Sequence, residues 1–335
     1  MAKRNMTKQT DTPNSLLERA NTALIRYPRF KELHHHIRQC QRMSKTAGEP
    51  QCMSLEGVTG AGKSTLVQDY ARAFPRFLRD EGVRIPVFYM ETPSPVTVKG
   101  MAAAMLEQLG DPAAHRGTQW SMNSRLIQLM ISCGVEIAIL DDFHHLIDCE
   151  TNRVLTKVSD WLKVLIKETG LPFLVVGIED TVEQILDVNP QLSRLFAARE
   201  ELEPFEWDLS DEACVCEFAQ FVTYAEEAIG ITLPDDLPRM ELLYRLHYAT
   251  AGVVGNLMNL LRFAAMIAQE KKVDTLDLSA LASAFDRRLS RHLKGKTNPF
   301  ETEEEHFVAS SPPPDAEAPS KRKQAVSIAE VLTAR

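Results

Sequence analysis

The chain has 335 residues, 44% of them hydrophobic and 25% charged, with a formal net charge of −8. This is ordinary for a soluble globular protein, long enough for an α/β domain plus a smaller helical one, and too acidic for a generally basic nucleic-acid coat. No apolar run is long enough to span a bilayer, and the start Met1-Ala2-Lys3-Arg4-Asn5 has no signal-peptide core, so no membrane role and a cytoplasmic protein are expected.

Residues 1–14 read as a flexible N-terminus, and 15–46 as an N-terminal segment of two short helices carrying Arg26, Arg29, Lys31, Arg38, Arg42 and Lys45. Its His34-His35-His36 points three ways around a helix, which favours a solvated helix over a metal site. From 47 to 207 strands alternate with helices, the pattern of a parallel sheet. Strands are predicted near 51–56, 85–90, 135–140, 171–177 and 201–206, and helices near 63–74, 97–109, 121–132, 151–168 and 179–187. Beyond Trp207 the period becomes helical throughout: 210–229, 238–249, 254–270 and 277–293 form an α-helical lid over 208–296, with Ser210 and Asp274 as helix-start signals. The stretch 297–335 opens acidic, contains Pro312-Pro313-Pro314, and reads as a disordered tail. Its end, where Lys321-Arg322-Lys323 precedes Val326, Ile328 and Val331, suits a helix formed on a partner, or no role at all. The six cysteines show no Cys-x-x-Cys pairing and are expected as reduced core thiols.

The first predicted strand runs into Gly57-Val58-Thr59-Gly60-Ala61-Gly62-Lys63-Ser64, followed by Thr65. This is the spacing of a phosphate-binding loop, set between a strand and a helix as that motif requires. Glycines let backbone N–H groups turn inward around phosphates, and the following helix aims its positive end at them. Lys63 supplies a cation for the β- and γ-phosphates, and the Ser64 hydroxyl is a Mg²⁺ ligand. ATP and Mg²⁺ are therefore the expected cofactors. A second apolar strand, Val135 to Leu140, ends in Asp141-Asp142, the form of a Walker B motif. Asp141 is the expected Mg²⁺ partner and Asp142 the group that orients the attacking water; a helix cap or turn is the plainer reading of the pair.

An α/β core followed by a helical lid resembles the AAA+ ATPases, an α/β class of P-loop NTPase with a parallel sheet. Three further stretches narrow this: Tyr27-Pro28-Arg29-Phe30, Leu140-Asp141-Asp142-Phe143-His144-His145-Leu146 and Thr250-Ala251-Gly252-Val253-Val254-Gly255-Asn256-Leu257. Together they resemble the TniB/TnsC group, ATPases that regulate target choice in DNA transposition. The resemblance implies rings or filaments around duplex DNA, with ATP between homo-oligomer neighbours and with a transposase and a target-selecting protein or complex as partners. It also implies a trans-acting arginine finger at Arg194, or at Arg199. Three departures point to slow, assembly-coupled hydrolysis. The second Walker B residue is Asp142 rather than a glutamate, Glu179 follows the strand that normally ends in a small polar sensor, and Asn256 stands where the lid often carries an arginine. Other readings are an initiator-type loader, a secretion-associated ATPase, or a nucleotide-gated scaffold with little hydrolysis.

In the same group DNA lies in a central channel. The resemblance places contacts at Thr97 and Lys99, and at a second region from Arg116 to Arg125 that includes Thr118 and Arg125. Such contacts go to phosphates, so binding is expected to be nonspecific and salt-dependent. A solvated Lys99 is the plainer alternative. Arg287, Arg288, Arg291, Lys294 and Lys296 form a competing basic cluster at the end of the lid.

Overall fold

The computed structural model describes residues 15–44, 49–94, 97–146, 152–273, 275–291 and 297–301. Cys149, Asp274, Lys294, Lys296 and the tail beyond 301 fall outside the described residues.

The core is a five-stranded parallel sheet built from β1 (Met53–Glu56), β4 (Val87–Glu91), β5 (Ile137–Asp141), β6 (Phe173–Val176) and β7 (Ala198–Glu201), in the order β4-β5-β6-β1-β7. Every residue of β1, β5 and β6 is buried, which is why β6 and the first four residues of β5 read as unbroken apolar runs, while β1 buries Ser54 and Glu56 between its apolar residues. One face of the sheet packs on α2 (Pro28–Met43) and α3 (Lys63–Arg72), sharing its core with the lid. The other face packs on α4 (Val98–Leu109), α5 (Gln119–Ser132), α6 (Asn152–Thr169), α7 (Thr181–Asp187) and α8 (Pro190–Leu195). Parallel pairing aligns the carboxyl ends, Glu91 opposite Asp141 and Leu55 opposite Val176, and open α/β sheets place their sites at that edge.

Three parts of this core differ from the predicted pattern. The last strand is 198–201 rather than 201–206. Its sequence Ala-Arg-Glu-Glu is that of a solvated edge strand and carries no apolar run. Residues 202–206 do run extended, but they leave the sheet: the Leu202 amide still donates to Glu56 O, and the Phe205 amide donates to Gly252 O in the lid. An antiparallel hairpin of β2 (Phe77–Arg79) and β3 (Gly82–Arg84) and the short α8 were also unforeseen.

The lid comprises α9 (Glu212–Ile229), α10 (Arg239–Thr250), α11 (Val254–Lys271) and α12 (Leu278–Arg288). Its caps are Asp211, accepting from the Ala213 amide, rather than Ser210, and Asp277, accepting from the Ala280 amide. Ser210 instead donates its hydroxyl to Asp208. Among the described residues no single helix is long and apolar enough to cross a membrane.

The N-terminal segment is divided between the two parts. Helix α1 (Leu16–Thr22), held by a Ser15–Glu18 capping box, lies on α9 and α11 of the lid, while α2 lies on α3 of the core. Residues 23–27 cross from lid to core beside the second crossing at 202–207, and the Tyr27 and Phe205 rings meet 5.5 Å apart. Arg26 fixes the crossing with a two-pronged ion pair to Asp69 on α3. Contrary to the expectation of a solvated helix, the histidines of α2 are not all exposed. His34 is half-buried against Leu66 O, His36 pairs with Glu200 at 2.7 Å, and only His35 is exposed. Of the described cysteines, Cys40, Cys52 and Cys133 are buried, but Cys214 is half-buried and Cys216 exposed on α9, so these two are not core thiols.

Candidate nucleotide site between core and lid

The loop between β1 and α3 closes on a left-handed residue, Gly62 at φ 102, which a side chain at that position would strain. Helix α3 therefore begins at Lys63 with its first amides pointing into the loop, the arrangement that binds anions at a helix N-terminus. Lys63 is 9% exposed, and its Nζ donates to the carbonyls of Gly57 (2.7 Å) and Val58 (2.9 Å). Burial lowers the ammonium's pKa, while Asp141 and Asp142 oppose that shift.

Asp141 closes β5 and is 1% exposed. Its Oδ1 accepts from the Asp142 amide at 2.9 Å, its Oδ2 accepts from the Tyr89 hydroxyl at 3.0 Å, and the Ser64 hydroxyl also hydrogen-bonds to it. Burial pushes this carboxyl up, and the hydrogen bonds from Ser64 and the Asp142 amide resist the push. The two residues predicted to share Mg²⁺ are thus in contact. A hydroxyl beside a buried carboxylate is a hard-oxygen donor pair that fits the ion. Asp142 takes a left-handed backbone, φ 53, which carries it off the strand direction and onto the wall of the cavity. Aspartate tolerates that conformation better than most side chains.

A cavity of about 460 Å³ opens from this loop towards the lid. Its phosphate end is walled by Gly60 to Thr65, Asp142, His144 and His145. Its other end is apolar, made by residues 23–25 and Tyr27 of the crossing segment, by Phe221 of α9, and by Met258 and Arg262 of α11. The lid touches the loop directly: the Gly255 amide donates to Gly60 O at 2.8 Å.

The family model for the bacterial TniB protein matches residues 16–207, from α1 through the end of β7 and its exit strand. The chain belongs to the TniB family. No curated protein matches it. Among solved structures, the TniB-family chain is similar to the Aeropyrum pernix ORC2 protein in ADPNP–ADP complexes, at 14% identity over 80% of this chain and 70% of that one, with a TM-score of 0.57. Cdc6p of Pyrobaculum aerophilum gives 12% identity, 80% and 69% coverage and a TM-score of 0.59. The Aeropyrum pernix ORC1 protein in complex with DNA gives 15%, 78%, 65% and 0.54. These likenesses establish an AAA+ fold of the ORC/Cdc6 kind.

Several residues of this TniB-family chain were not legible as site residues. Tyr89, 52 positions before Asp141, holds that carboxylate and accepts in turn from Gln68 Nε2 at 3.0 Å. Ile178, not Glu179, faces the cavity. Glu179 lies behind the loop, where its amide donates to Gly57 O and its side chain lines an acidic groove with Glu201 and Glu203. Asn256 turns away too, donating to Thr250 O at 3.1 Å, so Val254, Met258 and Arg262 are the α11 side chains at the cavity.

Arg194, on α8, is 76% exposed and pairs with Glu49 at 3.2 Å; it does not line the cavity of its own chain. Arg199 is held by Glu183, Asp187 and Ser193. Lys99 is exposed in the first turn of α4, a helix capped by the Thr97 hydroxyl, and Thr118 caps α5 in the same way. Helix α4 starts at the carboxyl edge of the sheet. Trp161, midway along α6, donates its Nε1 hydrogen to Asn123 Oδ1 in the second turn of α5 at 3.0 Å. Arg125, expected to contact DNA, is engaged within its own chain. Its guanidinium donates to Asp111 and to the carbonyls of Ala113 and Arg116, which pins the 111–116 loop to α5. Among the described residues no group of three or more His, Cys, Asp or Glu forms a metal cluster.

Proposed function

We propose that this chain is an ATP-dependent AAA+ regulator of DNA transposition that assembles on duplex DNA and links a target-selecting protein or complex to a transposase. The observation that carries the reading is the Ser64–Asp141–Tyr89 contact at the mouth of a phosphate loop, in a TniB-family chain. The loop amides from Gly57 to Ser64 and the Lys63 ammonium would hold the phosphates, with Thr65 beside them, and Ser64 and Asp141 would hold Mg²⁺. The ion, when bound, neutralises charge on the β- and γ-phosphates. Tyr89 keeps the Asp141 carboxylate turned towards Ser64. Asp142 accepts a proton from, and orients, the attacking water. Arg194 of a neighbouring copy would meet the γ-phosphate, and its exposure supports that role. Lys99, with Thr97 and Thr118 at the helix starts, would contact the DNA backbone without reading sequence.

A second reading, a nucleotide-gated scaffold with little turnover, is favoured by the apolar Ile178 at the cavity and by Asn256 facing away from it. Both readings share the binding site and separate on rate. The test is assembly: the protein is mixed with duplex DNA and with ATP, ADP or no nucleotide, and followed by sedimentation and electron microscopy. Assembly is expected only with ATP and to be promoted by DNA. Lys63→Ala is expected to lose nucleotide binding, and Asp142→Asn to persist as the assembled form. A protein that stays monomeric and indifferent to DNA in every mixture would refute the proposal.

A further inference from the structure

Helix α11 presents Gly255, Met258 and Arg262 to the cavity in successive turns. Gly255 meets the phosphate loop at Gly60. Arg262 lies seven residues further on, about 10 Å along the helix axis at 1.5 Å per residue. Its Nε donates to Ala20 O at 3.0 Å, which fixes the guanidinium at the α1 end of the cavity, away from the phosphates. Among the described residues no carboxylate pairs with it, and burial lowers its pKa. A half-buried cation with no counter-charge is costly unless something accepts its remaining donors. Its neighbours, Ala23, Leu24 and Met258, are apolar and accept nothing from their side chains.

We propose that Arg262 recognises the base of the bound nucleotide, donating its Nη hydrogens to ring-nitrogen acceptors of a purine. This rests on the reading of the cavity as a nucleotide site. Arginine has five donors and no acceptor, so it selects the acceptor edge of a flat ring and disfavours an amino group in the same place. The apolar walls supply the slot for the ring and Arg262 supplies its orientation. The residue thereby ties base recognition to the angle of the lid, since it is carried by the same helix that touches Gly60.

Calorimetric titration with ATP and with inorganic tripolyphosphate separates this role from others. Arg262→Met is expected to weaken ATP binding about ten-fold or more while leaving tripolyphosphate binding unchanged. Arg262→Lys, which keeps the charge but loses the planar fork, is expected to fall between, and serves if the methionine variant does not fold. Arg19→Met is the control: Arg19 also clamps α1 to the lid, through Ile229 O at 2.9 Å, but does not line the cavity. It is expected to bind ATP as the parent does. Unchanged ATP affinity in Arg262→Met, an equal loss for both ligands, or a matching loss in Arg19→Met would each overturn the inference. Parent protein that binds neither ligand, or binds ATP independently of Lys63, would overturn the nucleotide-site reading itself.

Discussion

Replacing Gly255 by alanine should disturb both the lid and the nucleotide site, and the geometry sets the size of the effect. A Cβ on Gly255 would stand 2.7 Å from Gly60 O and 3.2 Å from Gly60 Cα, about 0.7 Å short of the 3.4 Å at which ordinary contact begins. Both neighbours are backbone atoms of the phosphate loop, which cannot swing aside as a side chain could. The start of α11 must retreat instead. Overpacking of this kind costs about 1–3 kcal/mol, and stretching the Gly255–Gly60 hydrogen bond adds up to about 1.5 kcal/mol. If the strain is relieved by opening the lid, about 1–3 kcal/mol appears as weaker ligand binding, roughly 5- to 150-fold in Kd. A fluorescent ATP analogue titrated against parent and variant reads the affinity, and scanning calorimetry reads stability, where each kcal/mol shifts Tm by about 2–4 °C in a chain of this size. A variant with parental Kd and parental Tm would show that the lid does not rest on the loop.

Tyr89→Phe removes the donor to Asp141 Oδ2 and should leave the fold intact; weaker Mg²⁺ dependence of ATP binding, by about ten-fold, checks it by titration at varied magnesium. Glu56, at the end of β1, is buried with Glu183 and Glu201 nearby, and burial first, then those charges, push its carboxyl up to about 7. A carboxyl raised on folding destabilises the fold as pH climbs from the unfolded value near 4.5 through about 7. Glu56→Gln should therefore gain in Tm over the parent at pH 8 and lose that advantage at pH 5. Lys99→Ala should weaken DNA binding about evenly across sequences and reduce the slope of log K against log salt by about one. Arg125→Ala should instead lower Tm by freeing the 111–116 loop, a contrast that DNA titrations and thermal melts on both variants will resolve.

The parts of the fold legible in the sequence are those whose chemistry is local. A phosphate loop needs glycines, a lysine and a hydroxyl within a few residues and a strand before it, and a strand buried on both faces needs an apolar run, so β1 by its place and β5 and β6 by their composition declare themselves, with Lys63, Ser64, Asp141 and Asp142. The parts that were not legible depend on long-range placement. β7 pairs with β1 through backbone alone and carries solvated charges, so nothing apolar marks it. Glu179 and Asn256 fit the sensor positions by counting along the chain, but a turn at Asp180, φ 61, and a bond to Thr250 O aim them elsewhere. Arg262 could have been found only by stepping one turn beyond Met258 along the face of α11 already assigned to the site. Arg125 looked free because its partners, Asp111 and two carbonyls, leave no mark on its own surroundings in the sequence.

The chain passes between core and lid twice, at 23–27 and at 202–207, and the two passages touch where Tyr27 meets Phe205. A body tethered by one thread can twist as well as tilt. Two threads side by side remove the twist and leave a single axis of rotation. Any opening or closing of the lid is then confined to one arc, and its rim and the first of the two passages at its pivot include residues that line the cavity. Neighbouring copies in an assembly would each present their lids along that same arc.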